Sequence, residues 1–374
     1  MTSEQDPVII AARRTPIGTR GRALAHLDAA ELAARAIRAA LADAAAASGA
    51  APTVADVLLG NCMGPGGNLG RVAALAAGLD PSVPGGTVDR QCGSGLAAVL
   101  DAATAIRAGD PGMRVAGGTE SASTAPVRSV DGIPYARAPF APEGFPDPDM
   151  VHAAEYLAAH DGISRARQDA HAARSHARAR AARDAGRFEA ELVPLAELAH
   201  DDAVGAAEGL LPRLPPLFPG GTLTAGTATR IGDGAAVVVV APAGSARGLA
   251  VRAGVVVGCD PALPGLGAAV AVDAALHRAG LRQTDIAAFE IVEAFAAQSL
   301  AVLDRLGIAE DDLRVSAGGG ALALGHPWGA SGAVAVVRLF SRLVRGGAAP
   351  GTRGVAAASV GGGLGIAAVF EVVR

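Results

Sequence analysis

No lysine occurs in this chain: all 32 residues of the combined lysine and arginine count are arginines. Schiff-base aldolases, pyridoxal-phosphate enzymes, Walker-type phosphate loops and protein kinases each depend on a lysine amine, so those chemistries are excluded. Aromatic residues make up only 3%, which leaves little on which bases could stack. With a formal net charge of −4 and no basic block, nucleic acid is not an expected partner. The three cysteines, Cys62, Cys92 and Cys259, are odd in number and lack CxxC spacing. Neither a disulfide framework nor a zinc ribbon is indicated, and no metal or cofactor is expected. Long hydrophobic runs are missing too: stretches such as Ala235–Pro242 fall far below the ~18 residues of a membrane-spanning helix. Met1 to Pro7 is polar and acidic, without a basic region leading into an apolar one. A cytoplasmic protein that makes no membrane contact is expected.

What the chain does have is small apolar side chains. Of its 374 residues 51% are hydrophobic, mostly alanine and valine, enough for two or three structural units of ~100–200 residues. The pattern alternates short apolar strands with alanine-rich helices. Val8–Ala12 reads as a strand ending in a basic turn, Arg13-Arg14-Thr15-Pro16. Asp28 caps a helix that stops at Ser48-Gly49, and Val54–Leu59 is a strand. Gly95–Arg107 is a helix with Leu96, Val99, Leu100, Ala103 and Ile106 on one face, followed by a strand over Met113–Ala116. The last third repeats this grammar: strands at Val255–Val257, Ile286–Ile291 and Val355–Val360, helices at Ala268–Ala279, Glu293–Leu306 and Ala330–Val344. Cys92-Gly93-Ser94-Gly95-Leu96-Ala97 matches Trp328-Gly329-Ala330-Ser331-Gly332-Ala333, which suggests a duplicated α/β unit. The expected division is an N-terminal half over 1–120 with a return segment near 222–246, an inserted loop domain over 121–221, and a C-terminal half over 247–374. The proline-rich insertion, with a polar helix between Ser164 and Gly186, is where substrate contacts are expected.

Two glycine turns carry residues suited to chemistry. Cys92 precedes Gly93-Ser94-Gly95 at a helix start, where free N–H groups and the helix dipole favour a thiolate and can hold an oxyanion. His326 lies in the matching turn, Gly325-His326-Pro327-Trp328-Gly329. If the turns meet, it can take the thiol proton and later return one. Cys62 and Cys259 read as inert core thiols, and His171 and His176 as surface or packing residues. The tail Val360-Gly361-Gly362-Gly363-Leu364-Gly365 is no dinucleotide loop, because a strand rather than a helix follows it.

These residues resemble the thiolase family over nearly the whole chain. The matching stretches are Ala12–Gly18, Cys92-Gly93-Ser94-Gly95-Leu96, Gly117-Gly118-Thr119-Glu120-Ser121, Thr224-Ala225-Gly226 with Asp233-Gly234-Ala235, Glu293–Gln298 and Gly325–Gly332. The resemblance implies an α/β thiolase fold, in which duplicated βαβαβαββ halves form a five-layered αβαβα arrangement with an inserted loop domain, as a homodimer or homotetramer. It also implies acyl transfer from a thioester such as acyl-CoA to Cys92, then making or cleaving a carbon–carbon bond. The N–H groups of Cys92 and Gly361 would form an oxyanion hole. Met150, Arg213 and Thr229 fall where relatives line the pantetheine or nucleotide of CoA.

The departures alter that picture. The family's Asn-Glu-Ala-Phe motif reads Val292-Glu293-Ala294-Phe295, so a side-chain donor beside the substrate is lost. Cys-X-Gly-Gly-Gly reads Ser359-Val360-Gly361-Gly362-Gly363. In thiolases that second cysteine removes the α-proton of the incoming thioester, and Ser359 stands in its place as a far poorer base. A basic position of the family is Pro215, which leaves a carrier-protein thioester as an alternative to CoA. Trp328 either narrows the acyl pocket or packs on the glycine turn. Three readings stay open: a thiolase-type acyltransferase using Ser359; an acyl-enzyme whose second step is decarboxylative or passes the acyl group to another nucleophile; and a non-catalytic partner subunit.

Overall fold

Runs of valine and alanine that lack polar alternation call for strands covered on both faces, and this requirement organises the molecule. The computed structural model describes residues 5–135, 137–205 and 208–374. The first half runs β1 (Pro7–Arg14), β2 (Gly18–Thr19), α1 (Ala29–Ser48), β3 (Val54–Gly60), α2 (Leu69–Ala76), β4 (Gly86–Val88), α3 (Ser94–Arg107) and β5 (Met113–Ser121). An insertion follows, with a hairpin of β6 (Arg128–Val130) and β7 (Ile133–Tyr135), then α4 (Met150–His160) and α5 (Arg165–Asp184). The chain returns as β8 (Gly232–Pro242). The second half is β9 (Gly248–Gly258), α6 (Gly267–Ala279), β10 (Ala288–Ile291), α7 (Ala296–Leu306), α8 (Ala321–Leu324), α9 (Trp328–Phe340), β11 (Arg353–Val360) and β12 (Leu364–Val373).

The strands run in the order β10-β11-β12-β9-β1-β8-β5-β3-β4, with β2 beside β8. The two halves join through β1 and β9, which share only Val8↔Ala250 and Ile9↔Leu249. Along β8, Val237 and Val239 pack with α1, whereas Val238 and Val240 pack with α3 and α9. Along β12, Val369 packs with α6, and Ile366 and Phe370 face the same central helices. The layers are therefore α1 with α2, half the sheet, α3 with α9, the other half, and α6: the expected five-layered α/β/α/β/α arrangement.

The caps follow their sequence signals. Asp28 accepts the Glu31 N–H at 2.8 Å, and Gly49, at φ 74°, closes α1 on the Ala45 carbonyl. Several boundaries differ from expectation. Arg13 and Arg14 belong to β1 rather than to a turn, because both pair with β8. β5 extends to Ser121, since its glycines lie between β3 and β8. β9 is longer than Val255–Val257, because β12 pairs along its whole length. Glu293 is not helical: Thr229 N–H to the Ala294 carbonyl (3.0 Å) and an Ala228–Phe295 bridge hold this stretch extended, so α7 starts at Ala296. No helix among the described residues is long and apolar enough to cross a membrane.

Candidate active site

The two matching turns come together in the central layer, at the N-terminal ends of α3 and α9. Glycine allows it. A Cβ on Gly95 would lie 2.9 Å from the Gly329 carbonyl and the Ala333 nitrogen, and one on Gly332 would lie 2.8 Å from the Leu96 nitrogen. The turn Gln91–Gly93 rests directly on α9.

Cys92 sits in a strained elbow. Gln91, just before it, has φ 45°, a conformation unfavourable for a residue with a side chain. The Ser94 hydroxyl braces the elbow by accepting the Arg90 N–H (2.7 Å) and donating to the Gln91 carbonyl (2.6 Å). Below it, a Cβ on Gly93 would stand 2.9 Å from Val360. The helix start was expected to lower the thiol's pKa, and the structure corrects this. Burial pushes Cys92 up to about 12; its own backbone N–H opposes the rise, while Glu120 and Asp89 add to it. The Cys92 side chain therefore rests as a thiol, and its use as a nucleophile would call for a base.

His326 can be that base. It is 2% exposed, and its backbone N–H is held by the Arg230 carbonyl at 2.9 Å. Nδ1 lies 2.6 Å from the Ser331 hydroxyl, which itself donates to the Pro327 carbonyl at 3.0 Å. With the hydroxyl proton on the Pro327 carbonyl, Nδ1 carries the ring hydrogen and Nε2 keeps its lone pair. Nε2 is buried with no hydrogen-bond partner among the described residues. Burial lowers the ring's pKa to about 4. Because only neutral imidazole accepts a proton, lowering the pKa moves inactivation to more acid conditions. The rate of Cys92 acylation should therefore stay level down to roughly pH 5 and fall only below it, where an unperturbed histidine would lose activity near 6.5. A stopped-flow pH profile checks this, and an acid limb near 6.5 would contradict it.

Glu120 ties the His326 turn to the loop after β3, a role its place in the strand did not suggest. One carboxylate oxygen accepts the Gly329 N–H (3.0 Å) and the Cys62 N–H (3.1 Å). The other accepts Asn61 Nδ2 (2.8 Å) and the Met63 N–H (3.1 Å). A carboxylate amid the glycines and valines of β5 was the available signal. Glu293 is a second buried anchor. It accepts from the Ser175 hydroxyl (2.6 Å) and the Leu322 N–H (3.4 Å), and His171 Nε2 stands 3.6 Å away. Burial alone would raise its pKa, but His171 and Ser175 outweigh that and lower it. It thereby fixes α8, which leads into the His326 turn.

Ser359 is not placed as a free base. Its hydroxyl donates to the Gly265 carbonyl (2.6 Å) and accepts from the Ala268 N–H (3.0 Å) and Gln298 Nε2 (3.5 Å), which anchors the start of α6. Strand alternation explains this: Val360, not Ser359, faces Gly93. Gly362 (φ 83°) and Gly363 (φ 75°) turn the chain after it. Over Gly361 lies Phe140, a residue without a sequence signal: a Cβ on Gly361 would come within 2.6 Å of its ring. Arg137 stacks on that ring at 4.5 Å and pairs with Asp147 at 2.7 Å, and the Phe140 N–H reaches the same carboxylate at 3.2 Å.

The remaining candidates are distributed unevenly. Thr229 donates its hydroxyl to the Ala321 carbonyl (2.6 Å) beneath α8. Val292 is buried and, with Gly325 and Ser331, lines a cavity of about 30 Å³. Phe295 and Met150 are half-buried where α7 meets α4, and Trp328, also half-buried, opens α9. Arg213 is exposed at the end of the turn Glu208–Arg213, on the insertion.

Known proteins share both the sequence and this architecture. The family model for the thiolase N-terminal domain matches residues 7–244, and that for the thiolase C-terminal domain matches 248–372. A Bacillus subtilis (strain 168) protein named "Putative acetyl-CoA C-acetyltransferase YhfS" is 42% identical over 98% of this chain and 99% of its own. A 3-ketoacyl-CoA thiolase of Klebsiella pneumoniae is 39% identical over 98% of this chain and 99% of its own. The crystal structure of human mitochondrial 3-ketoacyl-CoA thiolase in complex with CoA superposes with a TM-score of 0.88 at 32% identity, covering 100% of both chains. The chain belongs to the thiolase family. It is an acyltransferase enzyme with the thiolase fold, and the reading as a non-catalytic subunit falls away.

Proposed function

We propose that this enzyme transfers an acyl group from a thioester, acyl-CoA by preference over a carrier-protein thioester, through an acyl-Cys92 intermediate. The observations that carry this reading are the packing of the His326-bearing turn and α9 against the Cys92 elbow and the buried, unpartnered Nε2 of His326, whose Nδ1 lies at the Ser331 hydroxyl. Nε2 takes the Cys92 proton as sulfur attacks the thioester carbonyl. The N–H groups of Cys92 and Gly361 receive the oxyanion. As the tetrahedral adduct collapses, the C–S bond to the leaving thiolate breaks, and that thiolate takes the proton back from His326. No cofactor enters the reaction. The second half-reaction makes or cleaves a carbon–carbon bond, and the enzyme works as a homodimer or homotetramer. Incubation with acetyl-CoA should add one acetyl mass to the wild type and none to Cys92→Ala. An unmodified wild type would exclude the reading.

A second reading rests on Ser359. Its hydroxyl already donates one hydrogen bond and accepts others, so abstraction of an α-proton lacks its usual base. In that case the acyl group passes to a different nucleophile, or a malonyl-type thioester supplies the carbanion by decarboxylation. Deuterium exchange into acetyl-CoA decides between them. Slow exchange by wild type with a gain of about tenfold or more in Ser359→Cys would favour the second reading. Equal, rapid exchange in both would favour ordinary condensation.

A further inference from the structure

Cys62 reads as an inert core thiol in the sequence, yet it lies under the nucleophile. Its Sγ is 3.2 Å from the carbonyl oxygen of Gln91, the strained residue whose peptide bond supplies the Cys92 N–H. Its backbone is fixed at both ends: the N–H by Glu120 (3.1 Å) and the carbonyl by Arg128 (2.6 Å). Burial, with Glu120 adding to it, keeps the thiol's pKa well above the ordinary value, so Cys62 remains S–H and a donor.

A peptide unit is planar, and in the trans form its carbonyl and N–H point in opposite directions. Three donors hold the Gln91 carbonyl: the Ser94 backbone N–H, the Ser94 hydroxyl at 2.6 Å and the Cys62 thiol at 3.2 Å. Together they fix where the Cys92 N–H points on the other side, and polarising the carbonyl strengthens that N–H as a donor. We propose that Cys62 is a positioning residue for acyl transfer: its S–H, bonded to the Gln91 carbonyl, aims the Cys92 N–H at the oxyanion of the reacting thioester. The inference rests on the acyl-Cys92 reading and adds a residue that never touches substrate.

The test separates a reaction that builds an oxyanion from one that does not. Cys62→Ala should slow acetylation of Cys92 by acetyl-CoA about tenfold, a fraction of the loss that follows complete removal of an oxyanion donor. Alkylation of Cys92 by iodoacetamide, a displacement without a tetrahedral oxyanion, should slow less than threefold, by the same scale of reasoning. Cys62→Ser, which keeps a donor, should restore acetylation, and the defect should fall on kcat rather than KM. Unchanged acetylation in Cys62→Ala, equal losses in both reactions, or no recovery in Cys62→Ser would each overturn the proposal while leaving the acyl-enzyme intact. Failure of the wild type to take up any acetyl group would instead overturn the acyl-Cys92 reading, and this inference with it.

Discussion

Replacing His326 with glutamine is expected to slow acylation of Cys92 by roughly 10²–10⁴-fold. The amide keeps the bulk but accepts no proton at neutral pH, and the Glu120 carboxylate is already taken up by four N–H donors. The expectation is this large because the thiol's pKa is about 12, so spontaneous ionisation near neutrality is a minor route. The measurement is the single-turnover rate of acetyl transfer, followed by intact mass beside a melting curve that shows the fold is kept. A loss below tenfold would mean that another group takes the thiol proton.

The second large effect is on stability. Arg14 is fully buried and makes three side-chain bonds to carboxylates: Nη1 and Nη2 to Asp201 (2.6 and 2.9 Å) and Nε to Glu191 (2.9 Å). Glu191 also takes Arg338 Nη1 at 2.9 Å, and the Phe188 ring lies 5.5 Å from the Arg14 guanidinium and 4.5 Å from that of Arg338. Two positive and two negative groups thus balance inside the protein, joining β1, the insertion and α9. Arg14→Met leaves Asp201 with the Ile17 N–H (2.8 Å) but without its counter-ion, and should cost about 3–5 kcal/mol. Urea denaturation checks this, and Arg14→Met with Asp201→Leu should recover much of the loss, because the stranded charge is gone. The pH dependence has a definite sign. Burial would raise the Glu191 pKa, but Arg338 and Arg14 outweigh it and hold the carboxyl below its ordinary 4.5. The network's contribution is present above that value and disappears as pH falls through the folded pKa.

Much of this was legible because its causes are local. Asp28 and Gly49 delimit α1 by capping chemistry, and the Cys92 and His326 turns announce themselves by glycine next to a reactive side chain. What was not legible depends on neighbours distant in sequence. The Cys92 pKa is decided by burial rather than by the helix start, and the Ser359 hydroxyl by the Gly265 carbonyl brought up from another segment. Glu293 is pulled out of its helix by Thr229 and Ala228. Phe140 reaches the glycine turn from a proline-rich stretch without periodicity, and Cys62 looks like any small apolar residue until Gln91 is set above it.

The double grip of Glu120 makes the contact between the two halves at the start of α9 hard to part. Parting the first turn of α9 from the loop after β3 would strip bonded N–H groups from a buried carboxylate, at about 1–3 kcal/mol for each polar group left unmatched. The seam between the two halves is therefore stiff at this point. On the other side of the glycine turn, the half-exposed Arg137–Asp147 pair holds Phe140 over Gly361.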